Sequence, residues 1–146
     1  MKRSDALAPL SHDHHHGLAV AQQLRRASEE TAASARAGFL SFWQAEGHHH
    51  FRVEEDVLLP AFAGHGPADH EAVVRVLVDH VELRRRAASL EAQPQPALED
   101  LHELGERLQQ HIRHEERVLF PLIEEALPEA ELAALARAIA SAEENG

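Results

Sequence analysis

The sequence predicts an all-α fold: an up-down antiparallel four-helix bundle with a short fifth helix at the C-terminus. Three observations point to it. Ala and Leu dominate while aromatics make up only 4%, a balance that favours helix over strand. Apolar residues recur at steps of three and four along most of the chain, the pattern of helices with one buried face. Finally, His50-Phe51-Arg52-Val53-Glu54-Glu55-Asp56-Val57-Leu58-Leu59-Pro60 returns sixty-one residues later as His111-Ile112-Arg113-His114-Glu115-Glu116-Arg117-Val118-Leu119-Phe120-Pro121, with seven of eleven positions shared. Self-similarity at a fixed offset marks a repeated supersecondary unit.

The first helix is expected to start at Pro9 or Ser11 and to turn Leu10, His14, Gly17 or Leu18, Ala21 and Leu24 inward. His12, His15 and His16 fall out of phase; His15 is the alternative to His14 if the helix is rotated. Ser28 reads as an N-cap, and the second helix runs from about Glu29 through Phe39, Trp43, His50, Glu54, Val57 and Ala61. Gly47 weakens that helix locally, and His48 and His49 lie off its inward stripe. Pro67 or Ala68 opens the third helix, whose stripe reads Val73, Val74, Leu77, His80, Val81, Arg84 and Ala87 or Ala88. Gln93-Pro94-Gln95-Pro96 cannot continue a helix. The fourth helix carries Leu104, Leu108, His111, Glu115, Leu119 and Leu122 inward, with His102 on the opposite side. After Leu127-Pro128 a last helix docks through Leu132, Leu135, Ala136 and Ile139, and a frayed Glu143-Glu144-Asn145-Gly146 tail is expected.

These elements fit one domain spanning 1–146, with helix pairs at about 10–63 and 68–126 and a short helix at about 129–142. The absence of Cys excludes disulfides, thiolate metal sites and Cys nucleophiles. A net charge of −11 argues against nucleic acid as a partner. Arg84-Arg85-Arg86 reads as a solvated helix face. No run is long enough to span a membrane, and a cytoplasmic protein is the expectation. Neither a nucleophile-elbow nor a phosphate-loop sequence is present.

The chemistry lies in the inward polar residues. His50 with Glu54, and His111 with Glu115, are four apart, so each pair shares a helix face. A carboxylate on a buried stripe is costly unless it is paired or binds a metal. His14 and His80 add one inward His each, both preceded by an acid (Asp13, Asp79) that could serve as an outer acid or face solvent. The set His14, His50, Glu54, His80, His111 and Glu115 contains no sulfur, which suits iron, manganese or zinc. Six protein ligands exceed the need of one zinc and suit two metals bridged by the carboxylates.

On Asp13-His14, His50-x-x-x-Glu54-Glu55 with Leu58-Leu59-Pro60, Asp79-His80, and His111-x-x-x-Glu115-Glu116 with Leu119-Phe120-Pro121, the chain resembles the hemerythrin-like proteins, or HHE cation-binding domains. The resemblance covers nearly the whole chain. It implies a four-helix bundle around two non-haem iron ions, oxo- or hydroxo-bridged, with manganese or zinc as substitutes. It implies a small ligand such as O₂, peroxide or NO, and a role in binding or sensing. A di-iron enzyme (peroxidase, iron oxidase or NO-handling) at the same site, or a zinc-bound or metal-free bundle, are the alternatives. A signalling role would need a separate protein partner. One departure stands out: oxygen-carrying members have a second His four residues along the third helix, and here Val76 and Arg84 flank His80. An open metal position is then expected, which weakens the case for reversible O₂ carriage. Those members also place the fourth-helix carboxylate one residue later, at Glu116. The inward phase and the repeat favour Glu115, with Glu55 and Glu116 as alternates.

Overall fold

The computed structural model describes residues 2–144, and among these every regular element is helical. The first helix is Ala8–Arg25, with Pro9 in its opening turn, where a missing N–H costs nothing. The second rod, 32–63, is continuous but not uniformly α-helical. It passes from Ala32–Phe42 through a π-helical turn at Trp43–Gly47, His48–Val53 and a second π turn at Glu54–Leu58 to Leu59–Ala63. The third helix is Glu71–Ala92. The fourth rod, 98–126, holds a π turn at Glu115–Leu119 between Leu98–His114 and Phe120–Ala126. The last helix is Glu129–Glu144.

Two expected helix starts move. The second rod begins at Ala32, because Ser28 spends its side chain in a turn with Thr31, each hydroxyl bonding the other residue's backbone N–H. The third helix begins at Glu71, capped by His70, whose Nδ1 accepts from the Ala72 N–H. The expected frayed tail divides: Glu143 and Glu144 are helical, while Asn145 and Gly146 lie outside the described residues.

Contacts between rods run in opposite chain order. Along the first helix and fourth rod, Arg3 meets Glu124, Ser11 meets Glu116, His14 meets Glu115 and Arg25 meets Glu106. The first helix meets the second rod at Asp13–His50 and His16–Glu46. The third helix meets the second rod at Arg84–Glu55, and the fourth at Asp79–His111 and Arg86–Glu103. Glycine sets the closest approach: a Cβ on Gly105 would stand 2.7 Å from the Ala21 carbonyl oxygen and 2.8 Å from the Leu24 Cβ. The first helix and fourth rod touch backbone to backbone there.

Apolar side chains form two clusters. One gathers Leu7, Leu10, Leu58, Phe62, Val76, Phe120 and Ile123 with Leu135 and Ile139 of the last helix. The other gathers Val20, Leu24, Phe39, Phe42, Phe51, Leu83, Leu104, Leu108 and Ile112. Each fully buried Leu or Phe contributes roughly 1.5–3 kcal/mol.

Phase accounts for the misplaced core residues. Up to Glu54 and Glu115 the expected stripe matches the buried face, except that Phe42 is buried and Trp43 only half-buried. Beyond them Leu119 is buried as expected, but Leu58 and Phe62 are buried instead of Val57 and Ala61, and Ile123 instead of Leu122. A π turn holds one residue more than an α turn, so positions past the turns at Glu54 and Glu115 drift off a 3.6-residue period. Pro60 and Pro121 each stand two residues past the end of a widened turn. A proline inside a rod cannot donate, and its ring displaces the carbonyl four residues back. On the third helix the expected stripe holds in part: Val73, His80 and Ala87 are buried as expected, but Val76 and Leu83 are buried in place of Val74, Leu77 and Val81, which are exposed.

Candidate metal centre

Between the two apolar clusters the rods bring together six polar side chains, all buried: His14, His50, Glu54, His80, His111 and Glu115. The carboxylates of Glu54 and Glu115 have no solvent exposure at all. Each stands on the first residue of a π turn. These are the six inward residues expected from sequence. Glu115, not Glu116, is the one facing the interior.

All four imidazoles are oriented alike. Each turns Nδ1 outward to an acid: His14 to Glu116 and His80 to Glu55 at 2.6 Å, His50 to Asp13 and His111 to Asp79 at 3.0 Å. An ionised carboxylate only accepts, so each Nδ1 carries the proton. In a neutral ring Nε2 is then a lone pair, and every Nε2 faces Glu54 or Glu115. The distances are 2.8 Å from His14 to Glu115, 3.0 Å from His80 to Glu54, 3.1 Å from His50 to Glu54 and 3.5 Å from His111 to Glu115. Acids behind ligating histidines fix tautomer and ring direction in metal sites. The sequence left Asp13 and Asp79 undecided and Glu55 and Glu116 as alternates; all four are these outer acids. Asp13 and Asp79 serve the His of the neighbouring rod rather than the His beside them in sequence.

The arrangement forms two overlapping sets, His14–His50–Glu54–Glu115 and Glu54–His80–His111–Glu115. Within each, one ligand atom per residue lies within 4.8 Å of the others. Both carboxylates belong to both sets. Four buried atoms facing this interior lack a hydrogen-bond partner: Glu54 Oε1, Glu115 Oε2, His80 Nε2 and His111 Nε2. His80 Nε2 and Glu54 Oε1 are 3.0 Å apart yet misaligned for a hydrogen bond. Buried polar atoms are normally satisfied. Donors that are close, buried and aimed past one another at a common point fit a cation. A nitrogen and oxygen set without sulfur fits a transition metal.

A model for the hemerythrin HHE cation binding domain matches residues 5–142 of this sequence. The chain belongs to that family. No curated protein and no solved structure matches it.

In this HHE domain, protons balance the charges when no cation is bound. Burial pushes the His14 imidazolium down, but hydrogen bonds to Glu115 and Glu116 outweigh it and hold its pKa at about 9. Burial opposes His50 and His80 in the same way, and facing carboxylates raise both. Burial disfavours the Glu115 carboxylate, yet the nearby His111 charge and the His14 bond hold it well below the usual range. Glu116 resists burial through His14 and Ser11 and falls to about 2. A cation would displace the Nε2 protons and leave those on Nδ1.

Aromatic rings brace two imidazoles: Phe51 stacks on His80 at 3.8 Å and Phe120 on His14 at 5.4 Å. Beside the centre lies a cavity of about 20 Å³, walled by Phe39, Phe42, Trp43, Leu108 and Ile112 and reaching His14, His50, His111 and Glu115. That is room for about one water-sized molecule.

Sequence reasoning missed the support of the outer acids. Arg84 is not solvated with its neighbours; it grips Glu55 with two bonds, at 2.7 and 3.0 Å. Arg86 is likewise tied to Glu103, which leaves Arg85 as the exposed member of the run. His102, expected to be exposed, is half-buried and bonds the Ala27 carbonyl at 2.7 Å. His49 is half-buried near Glu143. His12, His15, His16 and His48 are exposed and lie outside the cluster.

Proposed function

We propose that this protein is an up-down four-helix bundle, a single cytoplasmic domain, holding two iron ions and binding or sensing O₂ or a related small oxidant. His14 and His50 would hold one ion, His80 and His111 the other, and Glu54 and Glu115 would bridge both. The observation that carries this reading is the sharing of both buried carboxylates between two donor sets. Four protein donors per ion leave open positions on a metal that prefers six. Bound iron would supply reversible redox chemistry and sites for O₂, peroxide or NO.

The chain's own residues prepare those positions. The outer acids hold each Nε2 toward the centre without a proton once the ion is bound. Glu54 and Glu115, carrying two negative charges in a buried place, offset part of the charge of two cations. The apolar wall of the cavity admits a small uncharged molecule against His50, His111 and Glu115 and favours it over water. An enzyme at the same centre, such as a peroxidase or iron oxidase, is the second reading, favoured by the same open positions.

The test is metal analysis of protein prepared without a metal-affinity column, followed by spectra before and after aeration of the anaerobic Fe(II) form. Two irons per chain and a new charge-transfer band on aeration are expected. Zinc alone, or no band after iron loading, would overturn the proposal. Peroxide or Fe(II) turnover above that of free iron, lost in Glu54→Ala, would move the assignment to the enzyme.

A further inference from the structure

The third helix is apolar on two faces. Its inner face buries Val73, Val76, Leu83 and Leu90, while its outer face leaves Val74, Leu77, Val78 and Val81 between 40% and 66% exposed. Single exposed apolar residues are ordinary. These four follow i, i+3, i+4, i+7 spacing and make one continuous strip. Glu71, Val74, Val78, Val81, Arg85 and Ala88 alternate steps of three and four, the 3.5-residue seam of paired helices. Among the described residues no other element covers it.

The charges bounding the strip select its occupant. Glu71 and Arg85, both exposed, stand seven residues before and after Val78. Arg75 and Glu82 flank the valines between them. A second copy laid antiparallel, crossing at Val78, brings Glu71 of each copy to Arg85 of the other and Arg75 towards the other copy's Glu82. A parallel copy would set like against like. Arg85 now rests on its own Glu82 at 3.1 Å, and this surface contact is readily exchanged. We infer that the outer face of the third helix is the interface of an antiparallel homodimer, closed by a twofold axis near Val78. A twofold interface uses the same patch twice, as this self-complementary strip allows.

Analytical ultracentrifugation of the full chain as purified, from micromolar to near-millimolar concentration, tests it. A reversible monomer–dimer equilibrium is expected. Val78→Glu should weaken the dimer at least about tenfold, as a charge in a packed seam does, with helical circular dichroism and metal content unchanged. Arg85→Glu should weaken it less, and Glu71→Arg added to Arg85→Glu should restore it. The charge-swap pair decides the matter even if Val78→Glu folds poorly. A monomer at every concentration, a dimer indifferent to Val78→Glu and Arg85→Glu, or a double swap that restores nothing overturns the inference.

Discussion

The two halves of the centre are alike inside and different outside. Inward, His14 and His50 mirror His80 and His111, with outer acids at matching distances of 2.6 and 3.0 Å on both sides. Outward, Glu55 is clamped by one bidentate guanidinium, that of Arg84. Glu116 is shared between the Ser11 hydroxyl and Arg3, which also bonds the Glu116 carbonyl and Glu124. The cavity reaches His14, His50 and His111 but not His80. The repeat and the two Asp-His pairs thus supply a symmetric donor set, and the flanking segments make the two halves unequal. Ligand chemistry is duplicated; support and access are not.

Breaking the shared core should have the largest effect. Glu115→Ala removes a donor from both sets and strands buried imidazolium charge in the metal-free form. Roughly 3–5 kcal/mol of metal-free stability should be lost, as when one partner of a buried pair is deleted. Denaturant unfolding would measure this, and elemental analysis should show fewer than half the wild-type metal ions retained. If only one metal were lost and stability held, Glu115 would serve one half alone and the halves would be independent.

Changing pH should separate metal-free from metal-loaded protein. The fold raises His14 to about 9, so it stabilises the protonated ring. That contribution is complete below the ordinary value of 6.5 and is lost as pH rises through about 9, worth about 3 kcal/mol at 1.36 kcal/mol per pKa unit. Protons compete with cations for the same Nε2, so metal affinity should climb across the same window. Metal-free melting temperature should fall from pH 6.5 to 9 while apparent metal affinity rises. Parallel trends would mean that His14 is not where proton and metal exchange.

The outer acids come next. Glu55→Ala and Glu116→Ala should each lower metal affinity about 10–100-fold, the usual cost of losing a partner behind a ligating His. Competition with a chelator of known affinity would read this out. The matching 2.6 Å contacts predict similar losses from the two halves. A loss confined to one would show that symmetry stops at the ligands.

How far the sequence disclosed this follows from where each residue's partners lie. His50, Glu54, His111 and Glu115 were legible because each pair sits within one turn of one rod, and the repeat fixes their phase. His14 and His80 were legible because each falls on an apolar stripe. Legibility stopped at the π turns, since a 3.6-residue period has no room for an extra residue before Pro60 or Pro121. It was partial on the third helix: Val73, His80 and Ala87 were placed inward correctly, but Val74, Leu77 and Val81 make as good a stripe as Val76 and Leu83. Arg3 and Arg84 act on acids carried by other rods, at separations that no local pattern encodes. Asp13 and Asp79 were visible as acids beside a His, yet each serves a His elsewhere.

The smallest predicted effect probes the inequality itself. Arg84 shares Glu55 with the His80 ring, and it lies 5.7 Å over the Phe51 ring that stacks on His80. Arg84→Ala therefore leaves Glu55 with the His80 bond alone and loosens the His80 ring. Glu116 would keep its Ser11 bond of 2.7 Å in Arg3→Ala, so His14 should stay in place. Both guanidinium groups are partly exposed, which limits each effect to about 1 kcal/mol or less. In a metal titration Arg84→Ala should cost a few-fold in affinity at one of two sites, and Arg3→Ala almost nothing. Arg3→Ala should instead release the segment before the first helix, since Arg3 and the Ser4 N–H both hold Glu124. Faster amide exchange at residues 3–7 with unchanged metal binding is the signature. Equal affinity losses in the two variants would mean that each guanidinium acts on the centre through its charge alone, and that the clamp on Glu55 confers no asymmetry.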